Sequence, residues 1–288
     1  MSHTTKSSGI GLYLWLTLVI SSVFWELIIA SGHIRAADEK YVVALMWSPA
    51  AAALLTCYLR GEGLQALGWR WGEWRWARMA YLIPLGCAII AYGIVWSTGL
   101  GGFGNAGFLH GMPGLMGFPH ASVWLSTVLY VAMTATIGLV SSVSHALGEE
   151  IGWRGFLAPA LAKRFGFTRA VLVGSVIAWA WHLPVLLFAD YNAGTPWWFG
   201  MSCFLVNATA DCALATWLRL RSGSVWPAAI LHASHNLFVQ GLFTPITAPH
   251  GWITPYAIDE FGFVLPLVEA AFAMTLWFRR GELAGHRC

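Results

Sequence analysis

Three strings in this 288-residue chain set ionisable or amide side chains among apolar neighbours. The first, HALGEEIGWRGFL, places Glu149 beside Glu150 and Arg154 four residues beyond the second acid. On a helix this spacing brings Glu150 and Arg154 to one face and permits a salt bridge, while Glu149, turned about 100° away, is free to meet something else. The second, AWAWHLPVLLF, carries His182 two residues before Pro184, a residue that frees a backbone carbonyl and permits a kink. The third, ILHASHNLF, sets His232 and Asn236 one turn apart on one face, with His235 pointing elsewhere. A carboxylate and an imidazole together can deprotonate a water, and a second imidazole with an amide can donate hydrogen bonds to the oxyanion of a tetrahedral intermediate. That is acyl hydrolysis without a side-chain nucleophile. Alternatively, Glu149, His182 and His232 form an N/O ligand set for Zn2+ with one position left for water, although the metal-free version is favoured.

Each string has a plainer explanation when taken alone: a charge pair at a helix end for Glu149, Glu150 and Arg154, and interhelical hydrogen bonds for the histidines and Asn236. Composition weighs against it. Hydrophobic residues make up 58% of the chain and charged ones 10%, against about 25% charged in a soluble domain. Such a chain is an all-α, polytopic membrane protein, and an ionisable group inside its helices costs several kcal/mol unless it is paired or faces a cavity. The 16 Lys and Arg form no basic stripe, which excludes nucleic acid as a partner. Cys57, Cys87, Cys203, Cys212 and Cys288 contain no C-x-x-C pair and read as small packing residues.

A helix crossing a bilayer needs about 20 mostly apolar residues. Runs of that kind predict about eight transmembrane helices, near 10–31, 41–60, 77–98, 121–147, 168–188, 196–218, 224–241 and 261–279. With these spans, 14 of the 16 basic residues fall on one side, from Lys6 to Arg287, leaving Arg35 and Lys40 opposite. By the positive-inside rule both termini are cytoplasmic. The segment 67–76, LGWRWGEWRW, suits an interfacial anchoring helix, and 99–117 reads as an uncharged external loop.

With these residues on the page, the chain resembles the CAAX protease and bacteriocin-processing (Abi) family of intramembrane endopeptidases. Glu149, Glu150 and Arg154 match its E-E-x-x-x-R motif, and His232 and Asn236 match its H-x-x-x-N motif. The F-x-x-x-H motif is met in part, since His182 is present but Ala178 stands where the family has Phe. The resemblance covers 120–245. It implies an Abi/CAAX-protease-like helical bundle, with helices 1–3 in 1–119, the catalytic core in 120–245, and a last helix and cytoplasmic tail in 246–288. It further implies that Glu149 and His182 activate water, that His232 and Asn236 form the oxyanion hole, and that Glu150 and Arg154 hold the site in shape. The expected reaction is peptide-bond hydrolysis in a hydrophobic or lipidated substrate, at a bacterial cell membrane and among membrane lipids, with no cofactor favoured and Zn2+ as the alternative. A non-catalytic, bacteriocin-immunity type of binding protein is the competing reading.

Among the other polar residues, His145 lies one turn before Glu149 and is placed to tune it, and Asn207 with Asp211 forms a polar stripe toward the site. His235 reads as packed or interhelical, and Glu26 and Glu269 as bonded to neighbouring helices or backbone. His110, His120 and His250 belong to external loops, as do the acids Asp190, Asp259 and Glu260.

Overall fold

The computed structural model describes residues 9–34, 39–192 and 194–286; Lys6, Arg35, Arg287 and Cys288 lie outside them. Apolar runs broken by glycine and proline fold into an all-α bundle. Helices α1 (Ile10–Ala30), α2 (Glu39–Arg60), α3 (Trp74–Thr98), α8 (Phe167–Phe188) and α9 (Trp197–Ser222) are each long and apolar enough to cross a membrane. The run expected at 121–147 is divided. It forms α5 (Val123–Ala135) and α6 (Ile137–Glu150), and the chain stays helical through a π-helical stretch, Ile151–Leu157, into α7 (Ala158–Phe165). Thr136, at φ −123° and ψ −82°, breaks the helix, and the axis bends by 44° there. Counted as one bent span, this pair makes six among the described residues.

Neither of the last two expected spans is a single long α-helix. The run at 224–241 is divided between α10 (Trp226–His235) and a second π-helical stretch, Asn236–Phe243, followed by α11 (Thr244–Ile246), while α13 (Val264–Phe278) has 15 residues. Irregular backbone at membrane depth is tolerated where it lines a cavity, and the break in the former falls at the Asn236 that faces one. The separation of α9 from α10 is as the sequence reads: Gly223, at φ 71°, caps α9 in the left-handed region open to glycine.

Two loops differ from expectation. The segment 67–76 is not one helix, because Gly68 (φ 83°) and Gly72 (φ 79°) turn the chain between a short 3-10 turn, Leu64–Leu67, and α3, which begins at Trp74. Its tryptophans still cluster: Trp71 packs at 5.2 Å from Trp74 and 5.5 Å from Trp226, whose Nε1 donates to the Trp69 carbonyl at 2.9 Å. The segment 99–117 contains strand β1 (Gly102–Phe103) and helix α4 (Ala106–Leu115), capped by the Asn105 side chain. Strand β1 pairs antiparallel with β2 (Thr247–Ala248), joining the loop before α4 to the segment that follows α11. A last helix, α12 (Thr254–Ala257), precedes α13, and a 3-10 stretch, Arg279–His286, follows it.

The site is positioned by α10. It packs against α3, α6 and α9, and its small residues Ala228, Ala229 and Ala233 are fully buried, so neighbouring helices approach closely. Helix α6 in turn packs on α2 through glycine. A Cβ at Gly148 would lie 2.8 Å from the Met46 carbonyl oxygen and from the Trp47 Cα, and one at Gly152 would lie 2.4 Å from the Pro49 Cβ. These glycines, four residues apart, share the face of the helix that meets α2, and the two acids stand between them in sequence.

Candidate active site

Glu149 and Glu150 end α6, where the regular helix gives way to its π-helical continuation. Stretches of this kind add a residue to a turn and recur at functional sites. Both acids are buried. Glu150 pairs with Arg154 as the spacing predicts: Arg154 Nη1 donates to Glu150 Oε1 at 2.8 Å, with both side chains buried. The same oxygen also receives a bond no local pattern reveals, since His232 Nδ1 lies 3.0 Å from it. Glu149 points differently and accepts at Oε2 from the Trp153 indole, 3.3 Å away.

His182 sits in α8 with Nδ1 2.8 Å from the Ala178 carbonyl oxygen. A carbonyl only accepts, so Nδ1 carries the proton and Nε2 keeps its lone pair. Ala178 is the position where the family motif has Phe, and its contribution here is a backbone atom that any residue would supply. Three aromatic rings surround the imidazole: Trp181 at 4.8 Å, Phe204 at 5.1 Å and Tyr191 at 6.2 Å, the last nearly parallel to it.

Glu149, Glu150, Arg154, His182, His232 and Asn236 all line one cavity of about 240 Å³. Its apolar wall includes Leu45, Trp181, Val185 and Phe204. Asn207 and Asp211 line it as well, tied by an Asn207 Nδ2 to Asp211 Oδ2 bond of 3.0 Å, so the stripe on α9 does face the site. His145 is half-buried and outside the cavity lining. His235 makes the interhelical bond expected of it, from Nδ1 to Glu269 Oε1 at 2.9 Å, whereas Glu26 is exposed. His110, His120 and His250 are exposed.

The sequence reading missed Glu260. Treated as an external loop acid, it is buried and lines the cavity, with its Oε1 accepting from Gln240 Nε2 at 3.2 Å and its Oε2 3.5 Å from His235 Nε2. Asp259, at φ 66°, turns the chain so that this side chain faces inward, and its own Oδ1 accepts from the Glu260 amide at 2.8 Å. Tyr191, Trp153 and Gln240 also line the cavity without having been expected there.

The ligand atoms of a tetrahedral zinc site lie roughly 3.4 Å apart, given bonds near 2.1 Å. Glu149, His182 and His232 do not form a group whose ligand atoms lie within 4.8 Å of one another, so they do not fit that ion. Among the described residues, the group that meets this separation is Asp211, His235 and Glu269.

A search of curated proteins finds no match to this chain. Residues 130–238, which contain Glu149, His182, His232 and Asn236, match the family model described as Type II CAAX prenyl endopeptidase Rce1-like, the CAAX protease family that the three motifs resemble.

Proposed function

We propose that this protein is an intramembrane endopeptidase that cleaves a hydrophobic or lipidated peptide with a water activated by Glu149 and His182. The observation that carries the reading is that an acid from α6, an imidazole from α8, and an imidazole and an amide from the α10 segment line one largely apolar cavity. The matched family, one of endopeptidases, supports the reaction class.

In this reading, water is held between the Glu149 carboxylate and His182 Nε2 and gives up a proton as its oxygen attacks the scissile carbonyl carbon. General-base assistance of this kind is worth about 10²–10⁴ in rate. The carbonyl oxygen becomes an oxyanion, and the Asn236 amide and the Nε2–H of His232, held as an imidazolium whose Nδ1–H is taken by the Glu150 carboxylate, donate to it. Glu150 holds the His232 ring by Nδ1 at 3.0 Å, so the other nitrogen is the one presented. The tetrahedral intermediate collapses as the captured proton passes to the departing amine nitrogen, giving a new carboxylate and a free amine. Arg154 holds the Glu150 carboxylate in place through its 2.8 Å bond.

The bias of Lys and Arg supports cytoplasmic termini, and the proposed setting is a bacterial cell membrane whose lipids surround the bundle. In proteoliposomes with a hydrophobic peptide library, wild type releases fragments, while Glu149→Gln and His182→Ala release none above background and elute as the folded protein does. Full cleavage by either variant would refute the assignment.

A further inference from the structure

Behind the cavity, His235 stands among three carboxylates. Its Nδ1 is 2.9 Å from Glu269 Oε1, its Nε2 is 3.5 Å from Glu260 Oε2, and Asp211 completes a group with His235 and Glu269 whose ligand atoms lie within 4.8 Å of one another. His235 and Glu269 are 3% and 2% exposed. The nearest guanidinium on the cavity wall, Arg154, is engaged with Glu150. Three carboxylates around one imidazole are more acid than an imidazolium can balance, and in an apolar region the excess charge is removed either by protonation or by a divalent cation.

A second observation is independent of that charge count. Glu269 Oε2 and Asn207 Oδ1 are buried lone-pair atoms without a hydrogen-bond donor. Asn207 adjoins the group through its amide bond to Asp211. Unsatisfied buried acceptors of this kind are what a coordinated ion would occupy.

We infer that Asp211, His235 and Glu269 form a binding site for a divalent transition-metal cation, structural in role and separate from the water-activating pair Glu149 and His182. One imidazole nitrogen and carboxylate oxygens favour Zn2+ or Mn2+ over Ca2+ and Mg2+, which prefer all-oxygen shells. The metal takes the Nδ1 side of His235, the side that faces Glu269. Glu260 on the Nε2 side is then the carboxylate that fixes the ring, the usual partner of a metal-bound histidine. Asp211 and His235 line the cavity, so an ion can reach the group from it.

The test uses the full chain in detergent, stripped with chelator, dialysed against Zn2+ or Mn2+, desalted and assayed for bound metal. Wild type and Glu149→Gln should retain about one ion per chain, and Asp211→Asn and Glu269→Gln should bind at least about tenfold more weakly. Asp211→Asn keeps an oxygen for the Asn207 bond and so preserves the local fold; its Tm should not rise with the ion, whereas the Tm of wild type should. Wild type that takes up neither ion would overturn the inference. So would wild-type uptake in Asp211→Asn, or an ion lost from Glu149→Gln but kept by Glu269→Gln. Bound metal is read without any cleavage assay, so these results stand whether or not the peptidase reading does.

Discussion

Replacing Glu150 with alanine separates the residue that holds the site from the one that works in it. Glu150 is fully buried and receives two donors on one oxygen, Arg154 at 2.8 Å and His232 at 3.0 Å. Removing it leaves the Arg154 guanidinium, itself 7% exposed, without its counter-charge in an apolar bundle. Breaking a buried pair from one side costs about 3–5 kcal/mol. At roughly 2–4 °C per kcal/mol for a chain of this order of size, Glu150→Ala should lower the melting temperature by on the order of 10 °C. Glu149→Gln should not: Glu149 accepts from the Trp153 indole at 3.3 Å, and an amide oxygen accepts that bond equally well. Replacing both members, Glu150→Leu with Arg154→Met, should recover part of the loss, because no unpaired charge remains. Melting curves in detergent, run beside the cleavage assay, give stability and activity for each variant. A Glu150→Ala protein that melts with wild type, or a Glu149→Gln protein that melts as low as Glu150→Ala, would refute the division of labour between adjacent acids.

Asn236→Ala, which removes one of the proposed oxyanion donors, should lower kcat by about 10²–10³ with KM little changed, as steady-state kinetics on a cleaved peptide would register. Gly152→Ala should destabilise by about 1–3 kcal/mol or more, because the added Cβ meets Pro49 Cβ at 2.4 Å and Pro49 backbone at 2.7 Å; a melt unchanged from wild type would mean that α6 and α2 are not in that contact. Burial, with Glu260 alongside, pushes the Asp259 carboxyl up to about 6. A raised acid binds its proton more tightly folded than unfolded, so this group's contribution to stability falls as pH rises from about 4, its unfolded range, to about 6; in a pH series of melting temperatures, Asp259→Asn should flatten that part of the curve.

The site was legible where it rests on spacing along one helix and illegible where it rests on packing between helices. The Glu150 to Arg154 pair follows from an i, i+4 spacing, and polar residues in apolar runs drew attention to His182, His232 and Asn236. Nothing local couples His232 to Glu150, 82 residues away, or turns Phe204 and Tyr191 onto the His182 ring. Glu260 was lost because a short acidic stretch between apolar runs reads as a solvated loop, and the positive φ of Asp259 that directs it inward leaves no mark on composition. The same holds for the spans. Hydropathy located the five long apolar helices and the bent pair, but it does not register the dihedral angles at Thr136 or the widened turns after Glu150 and His235.

The two histidines of the α10 segment explain why its position is so well determined. His232 is fastened by Glu150 of α6, and His235 by Glu269 of α13, so carboxylates on two different helices grip neighbouring faces of one short helix. Each bond is made in surroundings where a free carboxylate or an unsatisfied imidazole would be costly, and that cost opposes rotation of α10 in either direction. Asn236 follows directly, at the point where the helix widens into its π-helical continuation. Its amide is therefore placed by two anchors it does not touch. The proposed oxyanion donors are set by charges in the walls, and the aromatic rings around His182 hold the proposed base in the same way.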